Sequence, residues 1–498
     1  MRSIFAISTA CLVGLLLQGP LVPAAAEAGD RPNFVVFLVD DVGYGDIGCF
    51  GNEIIKTPNL DRMATEGVKF TDFYVHPVCG VTRAALMTGC YAMRVGEVGN
   101  RKHGHPVLHP EETTIAEVLR PAGYATALIG KWHLGGPGNG GPRIRQPADL
   151  MPNAQGFDYF FGTPTHNGFT RTISGSRHRT QLVRNDRVLD PGLDQQGMDQ
   201  LTRRYTREAE QWIVKHKERP FFLLIAHNMA HVVLGASEQF RGASARSLYG
   251  DVIQELDWSM GRIRQVLREN GLAENTLVIF TSDNGPWVED HLAGATPRDD
   301  HYGRTGGLRG YKMTTWEGGV RVPTIACWPG KVPGNQVCRQ PATIMDLLPT
   351  FAAMAGAELP EGRTLDGRDI GPLLTNPQEA RSPHEAIYHY AYTHLQAVRA
   401  GDWKLVRPRP AKPKWCLWSA RMIDAVAEPR LFNLVDDPNE TTDLAAEHPG
   451  VVARLSALLE QGRREIGDYN LIGSGQRFFA DGPKRPDARR WIGGAGGG

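Results

Sequence analysis

The stretch Asn33-Phe-Val-Val-Phe-Leu-Val39, running straight into Asp40-Asp41, decides how this chain folds. A short, nearly continuous apolar run is the signature of a strand buried on both faces, and this one ends in two carboxylates. The pattern recurs three times. Tyr124–Ile129 ends in Gly130-Lys131-Trp132-His133, Phe221–Ala226 in His227-Asn228 with His231 beyond, and Leu277–Phe280 in Thr281-Ser282-Asp283-Asn284-Gly285. Between them lie helical patterns. Thr113–Leu119 stops at Gly123, and Leu248–Asn270 carries Leu248, Val252, Leu256, Met260, Ile263 and Leu267 on one face and stops at Gly271. Alternating strands and helices predict an α/β fold, a large and mostly parallel central sheet with helices on both faces. Ligands of such sheets bind outside the carboxyl ends of the strands. Four strand ends here deliver Asp, Lys, His and Asn side chains to that edge.

Beyond about residue 385 the texture changes to short strands, 385–392, 396–399 and 403–406, then Leu431–Val435 and a helix over 451–467. This predicts a smaller C-terminal antiparallel α+β subdomain. The expected organisation is a catalytic domain over 29–384, the subdomain over 385–480, and a flexible glycine-rich tail over 481–498. Residues 1–28 combine Met1-Arg2, an apolar stretch from Ile4 to Leu17 and an Ala-x-Ala end, which describes a secretory signal peptide cut after Ala26 or Ala28. The alternative, a membrane anchor, needs about 20 apolar residues. The mature protein is therefore expected to be soluble and exported, without stable membrane insertion.

The whole chain of 498 residues carries 55 Lys and Arg against 54 Asp and Glu, so no global field recruits nucleic acid or an acidic membrane. An anionic substrate must be held locally. Seven cysteines do not build a disulfide scaffold in a chain of this size. Cys11 leaves with the signal peptide. Cys327 and Cys338, which flank a Pro-Gly turn, are the pair expected to bridge.

Asp40, Asp41, Asp283 and Asn284 are hard oxygen donors from two strand ends, suited to Ca²⁺ or Mg²⁺ and poorly suited to zinc. Packing those carboxylates together without a cation raises their pKa values. Farther along the chain, His76-Pro-Val-Cys79-Gly-Val-Thr82-Arg83 places Cys79 just before a helix with Thr82 as its expected N-cap. A helix start and an arginine fork both favour oxyanions.

Five blocks together resemble the type I sulfatases of the alkaline phosphatase superfamily. They are Asp40-Asp41-x-Gly-Tyr-Gly-Asp46, Cys79-x-x-x-Arg83 with Leu86-x-Thr88-Gly89, Gly130-Lys131-Trp132-His133, Ser282-Asp283-Asn284-Gly285, and Lys312-x-x-x-x-Glu317-Gly-Gly-x-Arg321-x-Pro323. They occur in that family's order, and their spacing is nearest to the arylsulfatase A and N-acetylgalactosamine-6-sulfatase branch. The resemblance implies that a formylglycine-generating enzyme oxidises Cys79 to formylglycine. It implies one Ca²⁺, with Mg²⁺ second, on Asp40, Asp41, Asp283 and Asn284, residue 79 completing the shell. Arg83 would steady the formylglycine hydrate, and Lys131, His231 and Lys312 would contact sulfate. His133 would act as the base that collapses the intermediate, and His231 or Lys312 as the acid on the leaving oxygen. His166 and Asn167 lie where relatives place a polar residue of the sulfate pocket.

Val81 stands where the family's modification signal has proline; conversion of Cys79 is expected nonetheless. The implied substrate is a sulfated small molecule or, with Arg143, Arg145, Arg171 and Arg177 in loops after strand ends, a sulfated glycan. Trp287, Trp316 and Trp415 are candidates for stacking on sugar rings, or for core packing. A phosphate or phosphonate monoester hydrolase, and an inactive glycan-binding protein favoured by Val81, are the alternatives. Asn439-Glu-Thr441 is a glycosylation sequon for a eukaryotic source.

Overall fold

A computed structural model describes residues 31–95, 108–135, 148–167, 180–287, 302–414 and 420–477. The signal segment, Arg143, Arg145, Arg171, Arg177, Trp415, Cys416 and the tail lie outside the described residues.

Ten strands form one sheet: β1 (Asn33–Val39), β2 (Val68–Phe70), β3 (Ala125–Lys131), β4 (Tyr159–Thr163), β5 (Leu182–Arg184), β6 (Arg187–Asp190), β7 (Phe221–Ala226), β8 (Thr276–Ser282), β9 (Thr324–Cys327) and β10 (Gln336–Cys338). Their spatial order is β10-β2-β9-β8-β1-β7-β3-β4-β5-β6. The five central strands from β8 to β4 are mutually parallel. Antiparallel pairs border this block, β9 on one side and β5 and β6 on the other. The expected mostly parallel sheet is therefore present, with antiparallel margins. All seven residues of β1 are buried, as its apolar run requires.

The helices that cover the sheet include α1 (Pro58–Thr65), α2 (Cys79–Thr88), α3 (Ile115–Leu119), α4 (Leu201–His216), α5 (Ser247–Glu269) and α6 (Leu347–Ala355). Successive residues of β1 point to opposite faces, and their partners show two helical layers. Phe34 stacks on Phe351 of α6, with ring centroids 4.2 Å apart. Phe37 packs instead on His227, which meets Tyr205 of α4. Both faces are covered.

Gly130 shows how tightly the parallel strands are fitted near their ends. It lies between Ala226 and Gly162, with φ +122°, and an added Cβ would sit 1.9 Å from the Ala226 carbonyl oxygen. Only glycine meets both demands.

The C-terminal unit is a four-stranded antiparallel sheet: β11 (Ile387–Ala391), β12 (His394–Ala400), β13 (Trp403–Val406) and β14 (Arg430–Asn433), with helix α7 (Pro449–Glu465) packed against it. It docks through buried charge. Lys404, fully buried, reaches Glu317 at 2.8 Å and Glu440 at 2.9 Å, and donates to the Thr315 carbonyl at 2.9 Å. Arg399 pairs with Asp72 at 2.5 Å, and Asp72 also takes Arg321 at 3.2 Å. Burial would raise the pKa of Glu317, but Lys404, Arg321 and Arg399 outweigh it and hold the carboxyl low, at about 2. Burial pushes Glu440 up to about 7, although Lys404 works against it.

The expected Cys327–Cys338 bridge is not formed; both thiols are free and buried. The Pro-Gly turn suggested a hairpin, yet β2 inserts between β9 and β10 and separates the two cysteines by two inter-strand spacings. At about 4.8 Å per spacing, that exceeds the reach of a disulfide.

Removing one partner of a buried ion pair strands the other charge. Lys404→Met is therefore expected to lower the unfolding free energy by about 3–5 kcal/mol, read from the denaturant midpoint. A loss below about 1 kcal/mol would show that the buried charges do not hold the two units together.

Candidate active site

Strands β1 and β8 run side by side with Val39 opposite Ser282, so the next residues leave the sheet together. The Asp283 N–H still donates to the Val39 carbonyl at 3.0 Å. Register alone thus brings Asp40 and Asp41 against Asp283 and Asn284, all four fully buried. Two more parallel strands, β7 and β3, end beside them and supply His231 and Lys131.

Helix α2 starts at Cys79 itself, with Val78 as the extended N-cap residue. Thr82 is therefore not the cap that its position suggested. It lies inside the first turn, where its Oγ1 accepts from the His76 N–H and donates to the His76 carbonyl, both at 3.0 Å. That closes the incoming loop and fixes Cys79 at the first helical position, where backbone N–H groups are free of intrahelical partners. One turn later Arg83 donates to Asp283 Oδ2 from Nε at 3.0 Å and from a terminal nitrogen at 2.7 Å. Its other terminal nitrogen donates to the Lys131 carbonyl at 2.8 Å. Burial raises the pKa of the Cys79 thiol against the pull of Lys131 and Lys312. An unmodified Cys79 is a protonated thiol and a poor nucleophile.

Each carboxylate next to β1 is split between two environments. Asp40 Oδ2 takes Lys131 Nζ, and Asp41 Oδ1 takes Lys312 Nζ at 2.5 Å and the Asn284 amide at 2.7 Å. Their other oxygens, Asp40 Oδ1 and Asp41 Oδ2, have no hydrogen-bond partner among the described residues, and neither has Asn284 Oδ1. Orphaned buried oxygens cost about 1–3 kcal/mol each. Asp40, Cys79 and Asp283 also present ligand atoms within 4.8 Å of one another. A hard cation resolves both facts, so these residues fit a metal ion.

The two facing carboxylates are driven apart in acidity. For Asp40 burial acts upward, but Lys131, His231, Arg83 and Lys312 prevail and hold it far below the usual carboxylate range. Asp283 is raised to about 7 by burial and by Asp40 beside it. Like charges at this range do not both ionise unless a cation compensates them.

Three histidines line up from the β3 end to the β7 end. His133 Nδ1 lies 3.5 Å from Cys79 Sγ, the His133 and His166 rings are 5.0 Å apart, and His166 and His231 are 5.3 Å apart. Burial lowers the His231 pKa to about 4, so its ring is neutral at neutral pH. The other histidine at this strand end, His227, is sealed between Phe37 and Tyr205 with its pKa pushed down to about 3 by burial. It faces the core, not the site. Asn167 braces the His231 segment, its amide donating to the carbonyls of His231 at 3.1 Å and Val233 at 3.2 Å. His166 as the middle of the row and Asn167 as a brace were not readable as such. A polar Thr-His-Asn after a strand end, at the place where relatives put a polar pocket residue, was their signal.

Lys312 arrives on a loop held by two backbone bonds. Its N–H donates to the Pro286 carbonyl at 3.1 Å, and the Met313 N–H donates to the Pro77 carbonyl at 2.7 Å, two residues before Cys79. Trp287 packs beside Lys312, and Trp316 is buried under Arg309 and Arg409, so neither tryptophan offers an open platform for a sugar. Asp41, His133 and Met313 have φ values of +60°, +62° and +75°. Non-glycine residues in this region cost about 1–3 kcal/mol each, and they persist where the surrounding structure over-determines them. All three lie at or beside candidate site residues.

The residues named from the sequence as catalytic or metal-binding are thus gathered at one sheet edge: Asp40, Asp41, Cys79, Arg83, Lys131, His133, His231, Asp283, Asn284 and Lys312.

Comparison with known proteins agrees with this arrangement. The family description "Sulfatase" matches residues 32–357, and "C-terminal region of aryl-sulfatase" matches residues 382–478. Steryl-sulfatase of Rattus norvegicus is 32% identical, covering 88% of this chain and 89% of its own length. N-acetylgalactosamine-6-sulfatase of Mus musculus is 36% identical, covering 78% and 74%. The solved structure of Ps i-CgsB in complex with k-i-k-neocarrahexaose superposes with a TM-score of 0.71 at 27% identity, covering 86% of this chain and 92% of that one. The chain belongs to the sulfatase family and is a sulfuric ester hydrolase.

Proposed function

We propose that this sulfatase removes sulfate from a sulfated carbohydrate, using one calcium ion and a formylglycine made from Cys79. The observation that carries the metal assignment is the set of orphaned oxygens on Asp40, Asp41 and Asn284 at the end of two adjacent strands. Asp283 and residue 79 complete the donor set. A bound divalent ion supplies Lewis-acid stabilisation of charge on a sulfate oxygen.

The chain's own groups have separable tasks. Lys131 and Lys312 hold positive charge where the non-bridging oxygens of a sulfate ester gain it, commonly the largest catalytic contribution. Arg83 fixes Asp283 and the first turn of α2. His133, nearest to Cys79, is the base that takes a proton at residue 79. His231, a neutral ring at the opposite end of the histidine row, is assigned to the leaving side. Burial keeps its ring unprotonated at neutral pH, so Lys312 shares the assignment as proton donor.

Glycan specificity is supported by the carbohydrate named in the complex of a related structure and by the arginine-bearing segments that follow β3 and β4 in the sequence. Rat steryl-sulfatase makes a sterol sulfate the comparison substrate. Residues 1–28 are read as an export signal, residues 29–384 as the catalytic domain and residues 385–480 as the C-terminal subdomain. No described helix is long and apolar enough to cross a membrane.

Sulfate release across defined glycosaminoglycan and algal saccharides, an aryl sulfate, an aryl phosphate and a sterol sulfate tests the substrate class. Release from a sterol or aryl sulfate with none from any saccharide would overturn the glycan assignment.

Mass spectrometry of the peptide spanning Cys79, from protein made in its native host, is expected to show formylglycine in spite of Val81. Full activity with an intact thiol would exclude it. Cys79→Ala should abolish turnover.

His133→Ala should lower kcat by about 10²–10⁴-fold, the usual worth of a positioned base, while the half-buried position leaves the melting temperature close to wild type. Unchanged kcat would remove His133 from proton transfer.

Chelation should abolish activity and lower the melting temperature, and calcium should restore both more effectively than zinc. Recovery by zinc alone would contradict the oxygen-donor assignment.

A further inference from the structure

On the α4–α5 face of the sheet, away from the candidate site, lies a cleft of about 800 Å³ lined by five arginines, Arg184, Arg203, Arg204, Arg207 and Arg262, together with Trp258. Only two carboxylates line it, Glu208 and Glu210, and both are already engaged. Glu208 pairs with Arg184 at 2.8 Å and Glu210 with Arg262 at 2.7 Å. Arg203 lies over the Trp258 ring at 5.2 Å from its centroid, and Arg184 over the Phe161 ring at 5.0 Å, so both guanidinium groups are held by aromatic faces. Arg204 and Arg207 have no carboxylate partner among the described residues. In a chain with a formal net charge of +1, the residues lining this cleft carry an excess of three positive charges, of which buried Glu255, 3.9 Å from Arg203, offsets one.

The helix that lines the cleft is also tied to the strand end that carries the candidate site. Helices α4 and α5 run parallel, with Thr206 bonded to Ser259 at 2.6 Å and Glu210 to Arg262 four residues on. Between Arg204 and Thr206, Tyr205 donates to Asn228 Oδ1 at 2.8 Å, and Asn228 lies three residues before His231. The first turns of α4 therefore begin at the sheet edge that carries the site, and the arginines follow that helix outward.

We propose that this cleft is a second binding site for a sulfated oligosaccharide, an exosite that holds other sulfates of the same chain while one sulfate occupies the catalytic pocket. The proposal rests on the sulfated-carbohydrate function above. Guanidinium forks match sulfate oxygens in pairs. Arginines held on aromatic rings lose little side-chain freedom when they bind. A run of sulfates spaced along a glycan meets Arg204 and Arg207 as unpaired cations and recruits the paired arginines at the rim. Exposed charges act over about 8 Å at physiological ionic strength, so the attraction should weaken steeply with salt.

The full-length enzyme carrying Arg204→Glu and Arg207→Glu, titrated with a heparin octasaccharide, tests the assignment. Lys215→Glu with Lys217→Glu, at the exposed far end of the same helix, makes an equal charge change outside the cleft. The cleft variant should bind the octasaccharide at least tenfold more weakly, with a shallower salt dependence, and turn over a nitrophenyl sulfate within twofold of wild type. The far-end variant should bind within twofold of wild type. Equal loss in both variants, or undiminished binding by the cleft variant, overturns the exosite. Octasaccharide binding decides the cleft, whereas sulfate release from saccharides decides the substrate class, so failure of one is distinguishable from failure of the other.

Discussion

Two carboxylates, Asp40 and Asp283, leave adjacent parallel strands at the same level and are both removed from water. In that position they repel one another, and the surrounding structure is organised around relieving the repulsion. Arg83 comes from the first helix after the second strand, Lys131 from a parallel strand two places away, and Lys312 from a loop far along the chain. Each meets a carboxylate that the sheet edge presents. None of the three cations can be moved without stranding a buried charge, at a cost of several kcal/mol. The site is thereby rigid in the sense that matters for catalysis, because its charges are placed before substrate arrives.

That requirement explains why a C-terminal unit is attached to a sheet that already has its own core. Lys312 lies on a loop with no regular structure, and a loop needs anchors if it is to hold a cation within ångströms. Pro77 and Pro286 hold one end through backbone hydrogen bonds. At the other end, Gln396 takes the Thr315 hydroxyl at 2.8 Å, and Lys404 takes the Thr315 carbonyl and Glu317. Strands β12 and β13 thus reach the chemistry through two residues of separation. The left-handed Met313 is the local consequence, a backbone forced by anchors on both sides.

What the sequence shows and what it hides follow from range. Asn33–Val39, Phe221–Ala226 and Trp403–Val406 coincide with their expected strands because a buried run and its charged end are local signals. The marginal strands Leu182–Arg184 and Arg187–Asp190 have no such contrast, being short, the outer one largely exposed, and only pairing in space defines them. Thr82 satisfied a composition rule for helix caps, yet its hydroxyl was claimed by the backbone of His76 six residues away. The separation of Cys327 from Cys338 depends on β2, some 250 residues earlier in the chain. The site itself was legible because a parallel sheet converts separate strand ends into neighbours. Lys404 and Gln396 were not, since their partners are long-range and their residue types ordinary.

The formal charges at the site also bear on how an anion enters it. With Asp283 ionised against Arg83, Asp40, Asp41 and Asp283 balance Arg83, Lys131 and Lys312 one for one, and both lysines are already tied to carboxylates. The protein side chains alone therefore offer a sulfate monoester no net attraction. The donor set left open on Asp40, Asp41 and Asn284 is where the missing two positive charges belong, so metal binding and anion binding are expected to be thermodynamically coupled. A chain of near-zero net charge cannot supply that attraction from a distance. In the function proposed above it comes from a cation held at the sheet edge and, for a polyanionic chain, from the proposed basic cleft.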